Sequence, residues 1–206
     1  MSQPQPQTSP RRFVVHDLTK QIGNANFARD VREGLSAAPK QLFPKYLYDV
    51  LGSKLFDAIC HVEEYYPTRA ETEILSQHAD EIVKSVPDCQ ALIELGSGSA
   101  EKTRKVIEAL LRKQPELLFL PIDISPSALE DSSHALLQAY PSLRIEAYAA
   151  DYFDGLAALK PPAHGRALVL FLGSNIGNFQ KQDATTFLRS IREMLRPGDA
   201  LPAAGP

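Results

Sequence analysis

The sequence has little of three features that would each point to a different class of protein: paired cysteines, excess basic charge and long apolar runs. Its two cysteines, Cys60 and Cys89, lie far apart and match no metal or redox spacing, so we expect reduced thiols in a cytoplasmic protein. The formal net charge of -3, with interspersed signs, argues against a nucleic-acid partner. No apolar run approaches the ~20 residues of a membrane span, and no secretion signal is recognisable at the N-terminus. We therefore expect a monomer that acts on a small molecule, without metal, membrane or nucleic acid.

The composition changes along the chain and predicts four segments. They are a disordered leader rich in Pro, Gln and Ser (residues 1–12), a mostly helical segment that contributes to a substrate pocket (13–88), a ligand-binding α/β domain (89–199) and an aberrant tail (200–206). The length of 206 residues fits one well-buried core with a small accessory element.

The second segment carries apolar residues at helical spacing. A short helix is predicted over Phe27–Ala37, and further helix-spaced apolar residues run from Leu47 to Ile59. Thr68 stands three residues before Glu71, which fits a capping box at the start of a helix over Arg69–Val86.

The third segment alternates strand and helix patterns. Predicted strands are Ala91–Leu95, Leu117–Ile124, Arg144–Ala150 and Ala167–Leu172, and the helices that follow them are Ala100–Lys113, Pro126–Ala139, a short one near Leu156, and Asp183–Leu195. Repeated units of this kind predict an α/β fold with a Rossmann-like parallel sheet covered by helices on both faces. Ligands of such sheets bind at the carboxyl ends of the strands.

The first predicted strand runs into a glycine turn that suits a small ligand. Gly96 and Gly98 follow the acid Glu94, and they allow both a tight turn and a close approach by a ligand. A nicotinamide dinucleotide is disfavoured, because Glu101 occupies the third small position of its fingerprint and Glu94 would repel a pyrophosphate. S-adenosylmethionine fits better, since it carries an ammonium and no phosphate.

Acids also follow the next two strands. Asp123 can accept hydrogen bonds from ribose hydroxyls, and Asp151 can bond an adenine amino group while the neighbouring Tyr152 or Phe153 covers the ring. Each acid also has a structural alternative: Asp123 as a helix cap, although Ser125 suits that role better, and Asp151 as a turn residue.

The fourth predicted strand ends in FLGSNIGNF, whose glycines and asparagines favour a loop over the ligand edge of the sheet. The amide of Asn178 can bond an amine and a carboxylate at once. Alternatively, Asn175 and Asn178 only satisfy backbone groups of the turn.

Four stretches together resemble the histidine-specific Nα-methyltransferases of ergothioneine biosynthesis: YLYDVLGSKLFDAICHVEEYYPTRAETEIL, LIELGSGSAEKT, PIDIS and FLGSNIGNF. The resemblance implies a class I methyltransferase fold and the transfer of three methyl groups from S-adenosylmethionine to the α-amino group of L-histidine, giving hercynine. It also implies the site. The residues that would contact the methyl donor are Gly96, Gly98, Lys102, Asp123 and Asp151, to which the reasoning above adds Glu94 and Tyr152. The residues that would line the amino-acid pocket are Tyr48, Tyr65, Gly173 and Asn178. Of these, Tyr48, Tyr65 and Asn178 would be catalytic.

The resemblance ends near Asp199, where the family would continue into residues that complete the sheet and recognise the imidazole. Here the chain reads LPAAGP, and Pro202 argues against a central strand. We therefore expect a truncated copy with an incomplete sheet, low stability and little turnover. The alternative function is a non-catalytic fragment that binds S-adenosylmethionine or a partner.

Overall fold

The structure is a computed structural model that describes residues 11–19 and 24–202, apart from the side chains of residues 24–26. Its strands are β1 (Phe13–Asp17), β2 (Cys89–Leu95), β3 (Leu117–Asp123), β4 (Leu143–Ala149) and β5 (Arg166–Leu170). They form one parallel sheet in the order β1-β4-β3-β2-β5. The four strands predicted from sequence correspond to β2 through β5, with bounds that agree within two residues. The predicted α/β fold is confirmed.

The α-helices are α1 (Asn24–Ser36), α2 (Val50–Cys60), α3 (Tyr66–Lys84), α4 (Arg104–Leu111), α5 (Pro126–Ala139), α6 (Tyr152–Ala158) and α7 (Lys181–Met194), and 3₁₀ helices cover Pro44–Leu47 and Asn175–Asn178. Helix α5 has its predicted bounds, because Ser125 caps it by accepting the Ala128 N–H and Pro126 occupies the first turn. None of the described helices is both long and apolar enough to cross a membrane.

Helices cover both faces of the sheet. Leu92 packs with side chains of α3, α4 and α5, whereas its neighbour Ile93 packs with side chains of α6 and α7. Successive residues of a strand point to opposite faces, so an unbroken apolar run is what a strand covered on both sides requires. Both residues are fully buried. The strand order reverses at β2, which lies between β3 and β5, so the glycine turn after β2 sits at the switch point where such sheets bind ligands.

Three predicted helix starts are wrong: α1 begins at Asn24, three residues before the predicted Phe27, and the starts of α3 and α4 also differ. Helix α3 begins at Tyr66 and has no side-chain cap, because Pro67 takes a first-turn position and Thr68 already lies inside the helix. The capping box with Glu71 therefore does not form. Helix α4 begins at Arg104, four residues after the predicted Ala100, so its amino end is farther from the glycine turn than the sequence pattern indicated.

Strand β1 was not predicted, and residues 13–17 are therefore not part of a helical segment. The short alternating pattern FVVHD pairs in parallel with β4 at one edge of the sheet. Arg12 anchors it, donating through its guanidinium to carbonyl oxygens of Leu137, Tyr140 and Leu143. Arg12 was predicted to belong to the disordered leader but holds β1 in place, and the rest of the predicted leader up to residue 10 lies outside the described part of the chain.

The other sheet edge, beside β5, is partly occupied by the segment after α7. Asp199 accepts hydrogen bonds from the backbone N–H of Ala167 and of Arg196. Ala200 then forms a single parallel bridge with Leu168. No strand follows up to Pro202, in agreement with the prediction from that proline, and residues 203–206 lie outside the described part. Cys60 and Cys89 are both free, as expected, and burial raises the pKa of Cys89 to about 11.

Candidate functional site

A cavity of about 600 Å³ lies between the carboxyl ends of β2 and β5 on one side and helices α2 and α3 on the other. The glycine turn forms one wall, from Glu94 to Thr103. Phe56 and Tyr65 belong to the opposite wall, and Gly173 lines the cavity beside the end of β5. Residues of the helical segment and of the sheet thus enclose one cavity at the carboxyl ends of the strands.

The turn depends on glycine at position 96. Gly96 has φ +77°, and a Cβ placed there would lie 2.8 Å from the Tyr152 hydroxyl oxygen and 3.1 Å from the Asn175 amide nitrogen. Gly98 also has a positive φ, of +49°, but open space surrounds it. Any side chain at Gly96 would therefore clash as well as strain the backbone, whereas one at Gly98 would only strain it.

Asp123 joins the glycine turn to the end of β3. Its carboxylate accepts the Gly98 N–H at 2.8 Å and the Ser125 N–H at 2.9 Å. Burial raises the pKa of Asp123, and those backbone hydrogen bonds act in the opposite direction. The two predicted donor residues Gly98 and Asp123 are thus in direct contact, and each carboxylate oxygen keeps a lone pair for a ligand.

Glu94 is buried with one oxygen unused. It is 2% exposed, and its Oε1 accepts the Thr103 hydroxyl at 2.5 Å. Its Oε2 and the nearby Ser97 hydroxyl have no hydrogen-bond partner in the described part of the chain, although both residues line the cavity. Burial raises the pKa of Glu94 to about 8. Because buried polar atoms are rarely left unpaired, these two atoms are available to hydrogen-bond a polar group or a water in the cavity.

Asp151 and Tyr152 each have a structural role. The sequence analysis considered a turn as the alternative for Asp151 and gave no structural alternative for Tyr152. Asp151 caps α6 by accepting the Asp154 N–H at 2.9 Å. The Tyr152 ring packs against Phe171, Phe179 and Phe187, with centroid distances of 5.7, 5.9 and 5.2 Å, and burial raises its pKa. Neither residue lines the cavity. The more open aromatic beside Asp151 is Phe153, which is 42% exposed.

The aromatic residues expected in the amino-acid pocket form one cluster. Phe56 makes edge-to-face contacts with Tyr48 and Tyr65, at centroid distances of 5.9 and 6.0 Å. Burial raises the pKa of Tyr48, while the nearby Asn178 side chain acts to lower that pKa. The structure therefore brings Tyr48 and Asn178 together, although they are far apart in sequence. Of this group, Phe56 and Tyr65 line the cavity.

The loop after β5 has an unusual backbone. Gly173 and Ser174 both have positive φ, of +82° and +58°. The Asn175 amide donates to the Leu172 carbonyl at 2.9 Å, so this asparagine does satisfy the turn's backbone, as the alternative interpretation held. The 3₁₀ helix that follows carries Asn178 toward Tyr48.

Sequence reasoning missed the position of Glu71 in the site. Its carboxylate accepts the Gly173 N–H at 2.7 Å with one oxygen and pairs with the Lys102 ammonium through the other. The capping-box interpretation assigned Glu71 to the start of α3, but it lies more than a turn inside that helix and faces the cavity. The available signal was its place in the motif EYYPTRAE.

Acidic side chains outnumber basic ones on the walls of the cavity. The acidic residues of the lining are Asp57, Glu71, Glu73, Glu94 and Glu101, and the lysine and arginine residues are Arg69 and Lys102. Burial raises the pKa of Asp57, and the nearby Glu101 raises it further. Such a lining favours a ligand with positive charge. Within the described residues, no three His, Cys, Asp or Glu side chains converge as a metal site would need.

Comparison with known proteins gives a consistent result. Residues 27–202 match the family described as histidine-specific, SAM-dependent methyltransferases. A histidine N-alpha-methyltransferase of Mycolicibacterium smegmatis is 44% identical over 175 residues, which cover 84% of this chain and 53% of that protein. A protein of the same name from Mycobacterium tuberculosis is 40% identical over 193 residues, covering 93% and 59%. The chain thus spans about half the length of the curated relatives it matches.

Among solved structures, the fold resembles that of the plantazolicin methyltransferase BamL in complex with a triazolic desmethylPZN analog and SAH. The TM-score is 0.51 at 10% sequence identity, over 88% of this chain and 58% of that one. This likeness supports the fold and no more.

Proposed function

The chain belongs to the SAM-dependent, histidine-specific methyltransferase family, and we propose on that basis that it transfers methyl groups from S-adenosylmethionine to the α-amino group of L-histidine, giving hercynine in ergothioneine biosynthesis. The observation that carries the proposal is the unpartnered Glu94 Oε2 on the wall of a cavity that both the glycine turn and the helical segment enclose. A buried carboxylate oxygen of this kind suits an ammonium, and the methyl donor carries one. The donor, when bound, supplies a methyl group on a cationic sulfur.

On the donor side, the chain's own residues offer a matching set of polar groups. The Asp123 carboxylate accepts hydrogen bonds from the ribose hydroxyls. It uses the lone pairs that the backbone N–H groups of Gly98 and Ser125 leave free. The Glu94 and Ser97 atoms bind polar groups of the amino-acid part of the donor, and Lys102 binds its carboxylate. Asp151 bonds the adenine amino group through the oxygen that does not cap α6. The acidic lining adds a preference for the cationic donor over a phosphate-bearing nucleotide.

On the amino-acid side, Tyr48, Tyr65 and Asn178 hold the nitrogen that is methylated. The transfer is a displacement that needs nitrogen, carbon and sulfur in line, and positioning of this kind can supply about 7–11 kcal/mol. The amine reacts in its neutral form, and its methylated products are cations. The Tyr48 and Tyr65 rings stabilise such a cation by contacts worth about 0.5–2 kcal/mol each. Asn178 orients the α-amino and carboxylate groups through its amide.

Titration calorimetry with S-adenosylhomocysteine tests the donor site directly. The wild-type chain is expected to bind this ligand and not NAD. Asp123→Ala should weaken binding by about 1–3 kcal/mol, because hydrogen bonds to a buried charged acceptor are lost. Asp131→Ala, at an exposed acid on α5, is the matched control and should bind as the wild type does. Unchanged affinity in Asp123→Ala would refute the ribose assignment.

A turnover assay distinguishes the proposed methyltransferase from the alternative, a non-catalytic chain that binds the donor. Mass spectrometry of L-histidine incubated with the chain and S-adenosylmethionine should detect methylated products above an enzyme-free control, at the low turnover that the sequence analysis expects. Donor binding without any methylated product would instead support the second candidate, a non-catalytic chain that binds the donor.

A further inference from the structure

Glu71 connects three parts of the site that are distant in sequence. Its helix, α3, belongs to the helical wall, while its two carboxylate oxygens reach Lys102 beyond the glycine turn and the backbone N–H of Gly173 after β5. We propose that Glu71 is a positioning residue that couples the donor half of the site to the amino-acid half. This inference rests on the proposed function, since it assigns Lys102 to the donor and the loop after Gly173 to the amino acid.

The contacts favour a role in the site over a surface ion pair. The side chains of Glu71 and Lys102 are 23% and 22% exposed, so water screens their attraction only in part. The Lys102 ammonium would lie 3.8 Å from a Cβ at Gly173, which places carboxylate, ammonium and backbone N–H in one compact group. That group borders the cavity, because all three residues line it.

The two contacts of Glu71 involve Lys102 and Gly173, and the residues that follow these two in the chain are assigned to different ligands. Lys102 is followed by Thr103, whose hydroxyl binds Glu94 on the donor side. Gly173 is followed by the left-handed Ser174 and by the 3₁₀ helix that ends in Asn178 on the amino-acid side. Among the hydrogen bonds of the described residues, the one from the Gly173 N–H to the Glu71 carboxylate connects helix α3 to the start of this loop.

The direction of the coupling follows from charge sharing. An anionic group that binds Lys102 takes part of the ammonium's charge away from Glu71. The Glu71 carboxylate then becomes a stronger acceptor for the Gly173 N–H, because charged acceptors form the stronger hydrogen bonds. The loop that carries Asn178 is held more firmly, so a ligand in the donor site should raise the affinity for L-histidine, and by reciprocity histidine should raise the affinity for the donor.

Calorimetry on the full chain measures this coupling. In the wild type, saturating S-adenosylhomocysteine should tighten L-histidine binding by at least about fivefold, the lower end of ordinary coupling between sites. Glu71→Gln keeps an oxygen that can accept the Gly173 N–H but loses the charge that pairs with Lys102. In this variant the coupling should fall to less than about twofold, while each ligand alone binds within about threefold of the wild type. Glu81→Gln, at an exposed acid on the same helix, is the matched control.

The Gly173 amide provides a second readout that does not depend on turnover. In proton–nitrogen NMR spectra, S-adenosylhomocysteine should shift the Gly173 amide resonance in the wild type and in Glu81→Gln, and leave it nearly unmoved in Glu71→Gln. A merely structural role would lower the melting temperature of Glu71→Gln without changing the ratio of histidine affinities.

Three results would count against the inference. Retained coupling in Glu71→Gln, or its absence in a wild type that binds both ligands, would overturn the role of Glu71 and leave the proposed function standing. Failure of the wild type to bind S-adenosylhomocysteine would overturn the proposed function and this inference with it.

Discussion

Strand β2 and helix α2 both carry dense apolar sequence, yet they end up in opposite environments. Six of the seven residues of β2 are buried, whereas α2 has no buried residue. Leu92 is completely inaccessible, while Leu51 and Leu55 are 65% and 57% exposed. Apolar patterning therefore predicted the type of each element, but the same apolar density accompanies burial in one element and exposure in the other.

The difference comes from how each element meets its neighbours. A central strand of a parallel sheet is hydrogen-bonded on both edges and covered on both faces, so the fold itself supplies all of its contacts. A surface helix contacts its neighbours along one stripe only. Helix α2 directs Phe56 and Cys60 toward the cavity and leaves its leucines on the outside. The residues proposed to bind the donor thus follow the buried strands β2 and β3, whereas Tyr48 and Tyr65, proposed for the amino acid, lie in the helical segment on the other side of the cavity.

The largest expected effect tests this contrast in stability. Leu92→Ala should lower the free energy of unfolding by about 2–5 kcal/mol, because it removes a fully buried side chain and leaves a cavity. Leu51→Ala makes the same chemical change at an exposed site and should stay within about 0.5 kcal/mol of the wild type. Urea denaturation of both variants measures the difference. Equal losses would mean that α2 is packed far more tightly than its exposure indicates.

A second prediction concerns pH and the sheet side of the site. The pKa of Glu94 is about 8 in the folded chain, against an ordinary value of 4.5. Between these values the folded state binds a proton that the unfolded state has released. The stabilising contribution is therefore complete below about pH 4.5 and lost as the pH rises through about 8, at up to about 1.4 kcal/mol per pH unit. Denaturation midpoints at several pH values should show this slope in the wild type and a flatter one in Glu94→Gln.

Donor binding should depend on the same proton in the opposite sense. An ammonium beside Glu94 favours the ionised carboxylate, so the affinity for S-adenosylhomocysteine should rise by up to about tenfold per unit between pH 6 and pH 8. Calorimetry in buffers of different ionisation enthalpy would detect the released proton. A flat profile, identical in Glu94→Gln, would show that Glu94 does not contact the ligand's ammonium.

The smallest effect separates the two halves of the site. Asn178→Ala should weaken L-histidine binding about tenfold, as expected for the loss of hydrogen bonds to charged groups, and leave S-adenosylhomocysteine affinity nearly unchanged. Both affinities can be measured by calorimetry on one preparation. Parallel losses of the two would mean that Asn178 supports the loop and does not read the amino acid.

The sequence predicted the sheet side of the molecule better than the helical side. Strand β2 and the turn at Gly96 were recognisable because an apolar run, an acid and two glycines are local features of the chain. The start of α4 was placed four residues too early, since the turn between Gly98 and Arg104 has no breaker residue to mark its end. Strand β1 was missed because five residues paired only at the sheet edge leave a weak pattern.

The site shows the same division. Asp123 was predicted as a site residue from its place after a strand, and its contact with Gly98 follows from the parallel sheet. Glu71 was interpreted as part of a capping box because Thr68 stands three residues before it, although Thr68 lies inside the helix and caps nothing. Its actual partners, Lys102 and Gly173, lie 31 and 102 residues away, beyond the reach of any local pattern.

The sequence by itself determined the α/β class, four of the five strands of the sheet and the turn that marks the ligand edge, because these depend on the spacing of apolar and glycine residues along short stretches. Only the tertiary structure decided that Glu71 contacts both Lys102 and Gly173, that Tyr152 packs beneath the glycine turn, and that the leucines of α2 are exposed. Those outcomes depend on which distant surfaces meet. A linear pattern records what each surface is made of, but not the surface that it will contact.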